Sequence, residues 1–262
     1  MEPIRYIEEL NKFYRAQGHP PYRWTINETA PLTRLKKPLS ECAVTMLTSG
    51  GISRRSAEPF NPLARNDHRV DAIENDAPSG DFQIHDAYYD HRDASRDLNC
   101  QFPIDRLRDL ATSGEIGRVA DRLWSGFMGR TYDRTRLTTE SAPAFIAELK
   151  KDEVDLLVAV PACPLDHQTV GLVCRTAEEA GIPTVCVSTG RDITAQTKPP
   201  RSLFVNHPMG NAFGAPGDTK TQSAILVAAL ELAASAEEGG VLVDGPFEWP
   251  SEVEFAPGKA SM

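Results

Sequence analysis

The sequence predicts an α/β fold, a mainly parallel sheet built of βαβ units, with helices on both faces and long loops in the N-terminal half. Three observations predict it. Residues 154–162 (VDLLVAVPA) form a near-continuous apolar run of strand length. Residues 168–181 (QTVGLVCRTAEEAG) have helical periodicity and close on glycine, and 182–189 (IPTVCVST) return to an apolar run. Strand, helix and strand in that order make a βαβ unit, and strands without alternation are buried on both faces, so helices must cover both.

The other elements follow in chain order. Residues 4–15 (IRYIEELNKFYR) space apolar side chains at helical intervals until two prolines in GHPPYRW break the pattern. Residues 1–40 are therefore read as an N-terminal helix, packed on the domain from outside, and an extended arm. The run 42–51 (CAVTMLTSGG) reads as a first buried strand ending in a glycine turn. From 52 to 80 the chain is polar and broken by Pro59, Pro62 and Pro78, which predicts a long functional loop. Short extended segments are expected at 82–86 (FQIHD) and 97–102 (DLNCQF), then a helix opened by proline within 102–120. One further strand is expected at 202–208 and a long amphipathic helix over 219–238. The α/β domain thus spans 41–238, leaving 239–262 as an acidic, flexible tail.

A chain of 262 residues buries enough surface to fold without staples. Its net charge of -9 repels phosphate backbones and anionic bilayers, so neither nucleic acid nor membrane is an expected partner. No apolar run reaches the ~18 residues of a spanning helix, and the N-terminus lacks the basic-then-apolar pattern of a signal peptide. A cytoplasmic location is expected. The five cysteines, 42, 100, 163, 174 and 186, contain no C-x-x-C pair, which suits a reducing compartment and excludes a disulfide framework.

The sharpest chemical feature is Cys163, at the carboxyl end of the strongest strand and the start of a helix, where ligands bind in open α/β sheets. A helix N-terminus favours thiolate over thiol, so Cys163 is expected to be a nucleophile, with Asp166 and His167 within one turn as proton-exchanging partners. The same residues are also read as a buried apolar cysteine, a helix-capping aspartate and a solvated histidine. His85 and Asp90, in a polar loop, are expected substrate contacts. The spacing of His85 and His91 matches no zinc site, so no metal is expected. His207, Gly210 and Asn211 follow a later strand and suit a ligand with a carboxylate and an amine. Ser49, Gly50 and Gly51 are expected to hold a carboxylate through backbone N–H groups. Cys163, Asp166, His167, His207 and Asn211 are predicted to line one crevice.

Several motifs in order carry a family resemblance. They are Trp24-Thr25, Lys37-Pro38-Leu39-Ser40, Thr48-Ser49-Gly50-Gly51, Pro59-Phe60 and His85 with Tyr89-Asp90. Next come Asp97-x-Asn99-x-x-Phe102-Pro103-Ile104-Asp105-Arg106-Leu107, the segment from Cys163 to Ala180-Gly181-Ile182-Pro183, and His207-Pro208-Met209-Gly210-Asn211. Over roughly residues 20–235 the chain resembles the selenoprotein B family of the glycine, sarcosine, betaine and D-proline reductases, with Cys163 at the selenocysteine position.

The resemblance implies an oxidoreductase of amino-acid metabolism that cleaves a C–N or C–X bond α to a carboxylate, with Cys163 as nucleophile. The implied substrate is a small amino-acid-like or betaine-like carboxylate. No cofactor is expected in the chain; a thiol reductant or a pyruvoyl group would come from a partner. The implied partners are reductase subunits or a thiol carrier, in a homo- or hetero-oligomer. Asp166 stands where these reductases often place a resolving cysteine, and Cys174 lies three helical turns from Cys163. Two other readings follow: a non-redox cysteine enzyme (lyase, hydrolase or racemase) at the same site, or a non-catalytic substrate-binding subunit.

Overall fold

The structure is a computed structural model and describes residues 2–255. Along the chain the elements are α1 (Tyr6–Ala16), β1 (Ala43–Thr48), β2 (Ile52–Arg54), β3 (Val70–Glu74), β4 (Phe82–Ile84), α2 (Arg92–Arg96), α3 (Ile104–Ser113), β5 (Arg118–Val119) and β6 (Arg122–Gly126). They continue with α4 (Arg134–Arg136), α5 (Ala142–Lys151), β7 (Leu156–Val160), α6 (Pro164–Glu179), β8 (Thr184–Ser188), α7 (Arg191–Thr197), β9 (Arg201–Phe204), α8 (Thr219–Ser235) and β10 (Val241–Asp244). The main sheet has the order β10-β9-β8-β7-β1-β6-β3, with β5 also on β1, and every pairing is parallel except β3 with β6. The predicted α/β fold with a mainly parallel sheet is the observed one.

The pleat sends alternate residues to opposite faces. Val158 and Val160 of β7 join Leu107 of α3 and Leu226 of α8 in one apolar cluster. Leu157, the residue before Val158, joins Phe145 of α5 and Val173 of α6 in the other. Helices therefore cover both faces, as the unbroken apolar strands require.

Four regions differ from the sequence expectation. The 52–80 excursion contains β2, paired antiparallel to β4 in a separate two-stranded sheet, and β3, the antiparallel edge of the main sheet. An edge strand needs little apolar surface, and in β3 Ile73 alone is buried. Residues 97–102 are not a strand: Asp97 accepts from the Asn99 N–H and winds Leu98–Cys100 into a 3₁₀ turn, the local competition aspartate offers. The central strand β6 was not foreseen, and it opens on Arg122, whose guanidinium reaches out to Asp152 and Glu148. Finally, 241–244 are not tail but a strand parallel to β9, held by backbone pairing that asks little of the side chains. Residues 256–262 of that expected tail lie outside the described residues. Among the described residues no helix is long and apolar enough to cross a membrane.

The arm after α1 crosses the back of α6 and is fastened by a buried charge. Glu178 accepts the N–H groups of Thr33 and Thr184 and pairs with Arg201, both side chains fully buried. Arg201 in turn donates from Nη2 to the Thr33 carbonyl at 2.7 Å. The pair thus joins arm, α6 and β9. Arg201→Met leaves Glu178 buried without its cation and should lower unfolding free energy by about 3–5 kcal/mol. Urea titration reads this, and a loss under ~1 kcal/mol would remove the pair from the arm's fastening.

Candidate active site

The chain leaving β1 leads eventually to α3 on one face of the sheet, and the chain leaving β7 leads directly to α6 on the other. Because β1 and β7 are neighbours, their carboxyl ends diverge and leave a crevice at this switch point. Ser49 closes its base: its N–H donates to the Val160 carbonyl at 3.2 Å, and its Oγ accepts from the Ala162 N–H at 3.1 Å. Cys163 follows as the N-cap of α6, with Pro164 at the first helical position.

Asp166 completes a capping box. Its Oδ2 accepts the Cys163 N–H at 3.0 Å, while the Asp166 N–H is donated to Cys163 Sγ. The carboxylate also accepts the Gly129 N–H at 2.8 Å, with the Ser49 hydroxyl and the Cys163 thiol beside it. This changes the expected state of the sulfur. Burial first, then the charges of Asp166 and Asp86, push the Cys163 thiol up, and the N–H of Asp166 offsets only part of this. The helix N-terminus does not leave a thiolate at rest, because burial first and the carboxylates nearby second outweigh it. The arrangement is a buried thiol beside a buried carboxyl group.

Asp86 reaches the site from a loop that glycines allow to come close. Gly51 has φ +63°, and a Cβ there would lie 2.4 Å from the His85 carbonyl. The loop is stitched on by the His85 N–H to the Gly51 carbonyl (2.9 Å) and the Tyr89 hydroxyl to the Gly50 carbonyl (2.8 Å). Gly210, at φ +95°, accommodates the Asp90 carbonyl and the Tyr89 ring on the far side. Asp86 is buried; its Oδ1 accepts the Tyr88 N–H at 2.7 Å, and Oδ2 has no partner in the chain. Burial and the Asp166 charge push its carboxyl up.

In front of Cys163 opens a cavity of about 850 Å³, walled by the C-terminal half of α1, the arm to Arg23, and the loops carrying Arg65, Tyr88 and Arg130. Tyr14, Tyr22, Tyr88 and Tyr132 all border it. The Tyr88 hydroxyl and Arg130 Nε are buried without hydrogen-bond partners among the described residues.

No family model matches the chain, and no solved structure matches it. D-proline reductase subunit gamma of Acetoanaerobium sticklandii is 31% identical over 234 residues, which cover 89% of this chain and 92% of that protein. The chain belongs to the D-proline reductase gamma-subunit family. It is a reductase-family protein, related to a protein named as a subunit.

In this gamma-subunit relative the crevice predicted from sequence is assembled only in part. Of Cys163, Asp166, His167, His207 and Asn211, Cys163 faces the cavity and Asp166 sits behind it. His167 points elsewhere: its Nδ1 donates to the Cys163 carbonyl at 2.7 Å and its Nε2 accepts the Thr189 N–H at 3.1 Å, so both nitrogens are engaged. Burial pushes it down to about 4, a neutral ring that braces the turns after β7 and β8. His207 stacks beside Trp249, and Asn211 donates to Asp93 and the Gly214 carbonyl, tying loops together. The N–H groups of Ser49 and Gly50 are used within the turn, so these residues do not cradle a carboxylate there. Asp90 pairs with the exposed Arg92, and His85 contributes backbone contacts. Asp86 was within the polar motif but passed over for its neighbours; nothing in its spacing sets it apart from Asp90. Arg130 and the tyrosines carry no sequence signal either.

His167 lies below its ordinary value, so its neutral form stabilises the fold fully above about pH 6.5, and that contribution is lost as pH falls towards 4. Asp166, raised to about 7, acts oppositely, its contribution being lost as pH rises towards 7. His167→Gln should therefore remove about 3 kcal/mol of pH-dependent stability between 6.5 and 4, measured as the difference from the native protein across a pH series of urea titrations. Parallel curves would place the ring outside the brace.

Proposed function

We propose that this chain is a cysteine form of the selenoprotein B-type reductase subunit, cleaving a C–N or C–X bond α to a carboxylate with Cys163 as nucleophile. One observation supports the reading above the others. A buried thiol beside a buried carboxyl group lines a cavity that Arg65 and Arg130 also line. Arg130, with Arg65 beside it, holds the carboxylate of a small amino-acid-like or betaine-like substrate, leaving the α-carbon towards Cys163. Attack forms the S–C bond as the thiol proton passes to Asp166 and the amine leaves with the C–N pair. Release of product from sulfur requires a second thiol. The apolar cluster around Cys163 contains no other cysteine, so that thiol comes from a carrier or partner subunit, and a pyruvoyl group would likewise be a partner's.

The same absence favours a second reading, a non-redox lyase, hydrolase or racemase using the same thiol and base. Cys163→Ser separates both from a binding subunit: it should abolish turnover while unfolding close to the native protein, since the hydroxyl is a far weaker nucleophile. Single-turnover labelling without reductant divides the two enzymes. Cys163 consumed or held as an adduct supports the reductase, whereas Cys163 recovered free supports the non-redox enzyme. Full activity in Cys163→Ser would end both.

Arg130→Met should raise KM about 10- to 100-fold with a smaller change in kcat, the loss of a charged hydrogen bond to substrate. An unchanged KM would move the carboxylate site elsewhere.

A further inference from the structure

The cavity in front of Cys163 is larger than one carboxylate site requires. Its volume of about 850 Å³ lies in the range of ~300–1,000 Å³ that holds drug-sized ligands, so a small amino acid fills only part of it. Its charge is one-sided as well. Arg23, Arg65 and Arg130 line it with His19, and among the described residues no aspartate or glutamate does, although the chain carries a net charge of -9. None of these three arginines enters a salt bridge among the described residues, whereas Arg54, Arg69 and Arg122, outside the cavity, are each held by an aspartate. Positive charge gathered in a cleft with low-dielectric walls focuses a field that draws anions.

The cations come from separate elements. Arg65 and Arg130 are neighbours, joined by an isolated parallel bridge between their loops, and Arg130 Nη2 also donates to the Leu63 carbonyl. Arg23 belongs to the arm instead, which is pinned at this point. Its carbonyl accepts from Arg134 Nη1 at 2.9 Å, and the hydroxyl of Tyr22 before it accepts from Gln168 Nε2 at 2.9 Å. The Tyr22 ring meets that of Tyr132, on the loop of Arg130, with centres 6.1 Å apart, and both rings line the cavity. Two cationic positions on different elements, with aromatic rings where those elements meet, match a ligand that carries a negative group at each end of a short carbon chain.

We propose that the substrate of this site is a dicarboxylate: Arg130 takes the carboxylate next to the reacting carbon, and Arg23 takes a second carboxylate at the far end of the molecule. The inference rests on the reading that Arg130 holds a substrate carboxylate beside Cys163, and it makes Arg23 the residue that sets specificity. A guanidinium presents parallel donors to a carboxylate, so a monocarboxylate forfeits a charge-assisted contact that a dicarboxylate makes.

The test is calorimetric titration of the full chain at fixed ionic strength with propionate, succinate, glutarate and adipate, in the native protein, Arg23→Met and Arg130→Met. At least one dicarboxylate should bind about 10- to 100-fold tighter than propionate. Arg23→Met should erase that advantage and leave propionate binding close to native, whereas Arg130→Met should weaken both kinds of ligand. The ratio of dicarboxylate to propionate affinity is a readout that a merely structural arginine would not move. Dicarboxylates bound no tighter than propionate, or an advantage that survives Arg23→Met, would overturn the dicarboxylate while leaving Arg130 and Cys163 in place. Binding unchanged in Arg130→Met, or absent for all four acids in the native protein, would overturn the carboxylate site itself and the proposal with it. Arg23 is exposed and its replacement removes no salt bridge, so the variant should fold. Should it not be recovered, the native series decides: a dicarboxylate advantage supports the proposal and its absence refutes it.

Discussion

The site depends on one carboxylate. Asp166 gathers the start of its own helix and the loop after β6 onto a single pair of oxygens. Each of those backbone donors would otherwise be buried unpaired, at a cost of ~1–3 kcal/mol each. The capping box makes the contact reciprocal, since the helix that Asp166 starts is the one that holds Cys163 in extended geometry at its N-cap. Strand order, helix entry and the position of the sulfur are thereby one arrangement.

That arrangement carries an electrostatic tension. A helix N-terminus stabilises negative charge, whereas burial, and after it the neighbouring carboxylates, oppose it, and at Cys163 the opposing effects prevail. The outcome is chemically coherent. A protonated thiol beside a base is shielded from adventitious oxidation and becomes a nucleophile when a polarised carbon is placed against it.

The cavity in front belongs as much to the N-terminal arm as to the sheet. Gln168, fully buried in the second turn of α6, accepts the Thr25 N–H at 2.6 Å and donates to the Tyr22 hydroxyl at 2.9 Å. It fixes the arm wall one helical turn from Cys163. Glu178 and Arg201 fasten the arm again further along the same helix. A single helix thus positions both the Cys163 sulfur and the wall that faces it.

The sequence by itself determined the elements whose stability is local or strongly patterned. The apolar runs of β1, β7 and β8, the periodicity of α6 and α8, and Cys163 at a strand-to-helix turn were all legible, because burial on both faces leaves an unbroken apolar record. Tertiary structure alone decided what depends on neighbours. β6, β3 and β10 pair through backbone groups that every residue carries, and so leave little trace in side-chain pattern. Asp86 rather than Asp90 was buried because two glycines let the loop press onto the sheet edge, and His167 became scaffold because Thr189 of the adjacent turn met its ring. The identity of a reactive atom is written in one residue, but its protonation is set by groups far away in sequence, and folding alone brings them together.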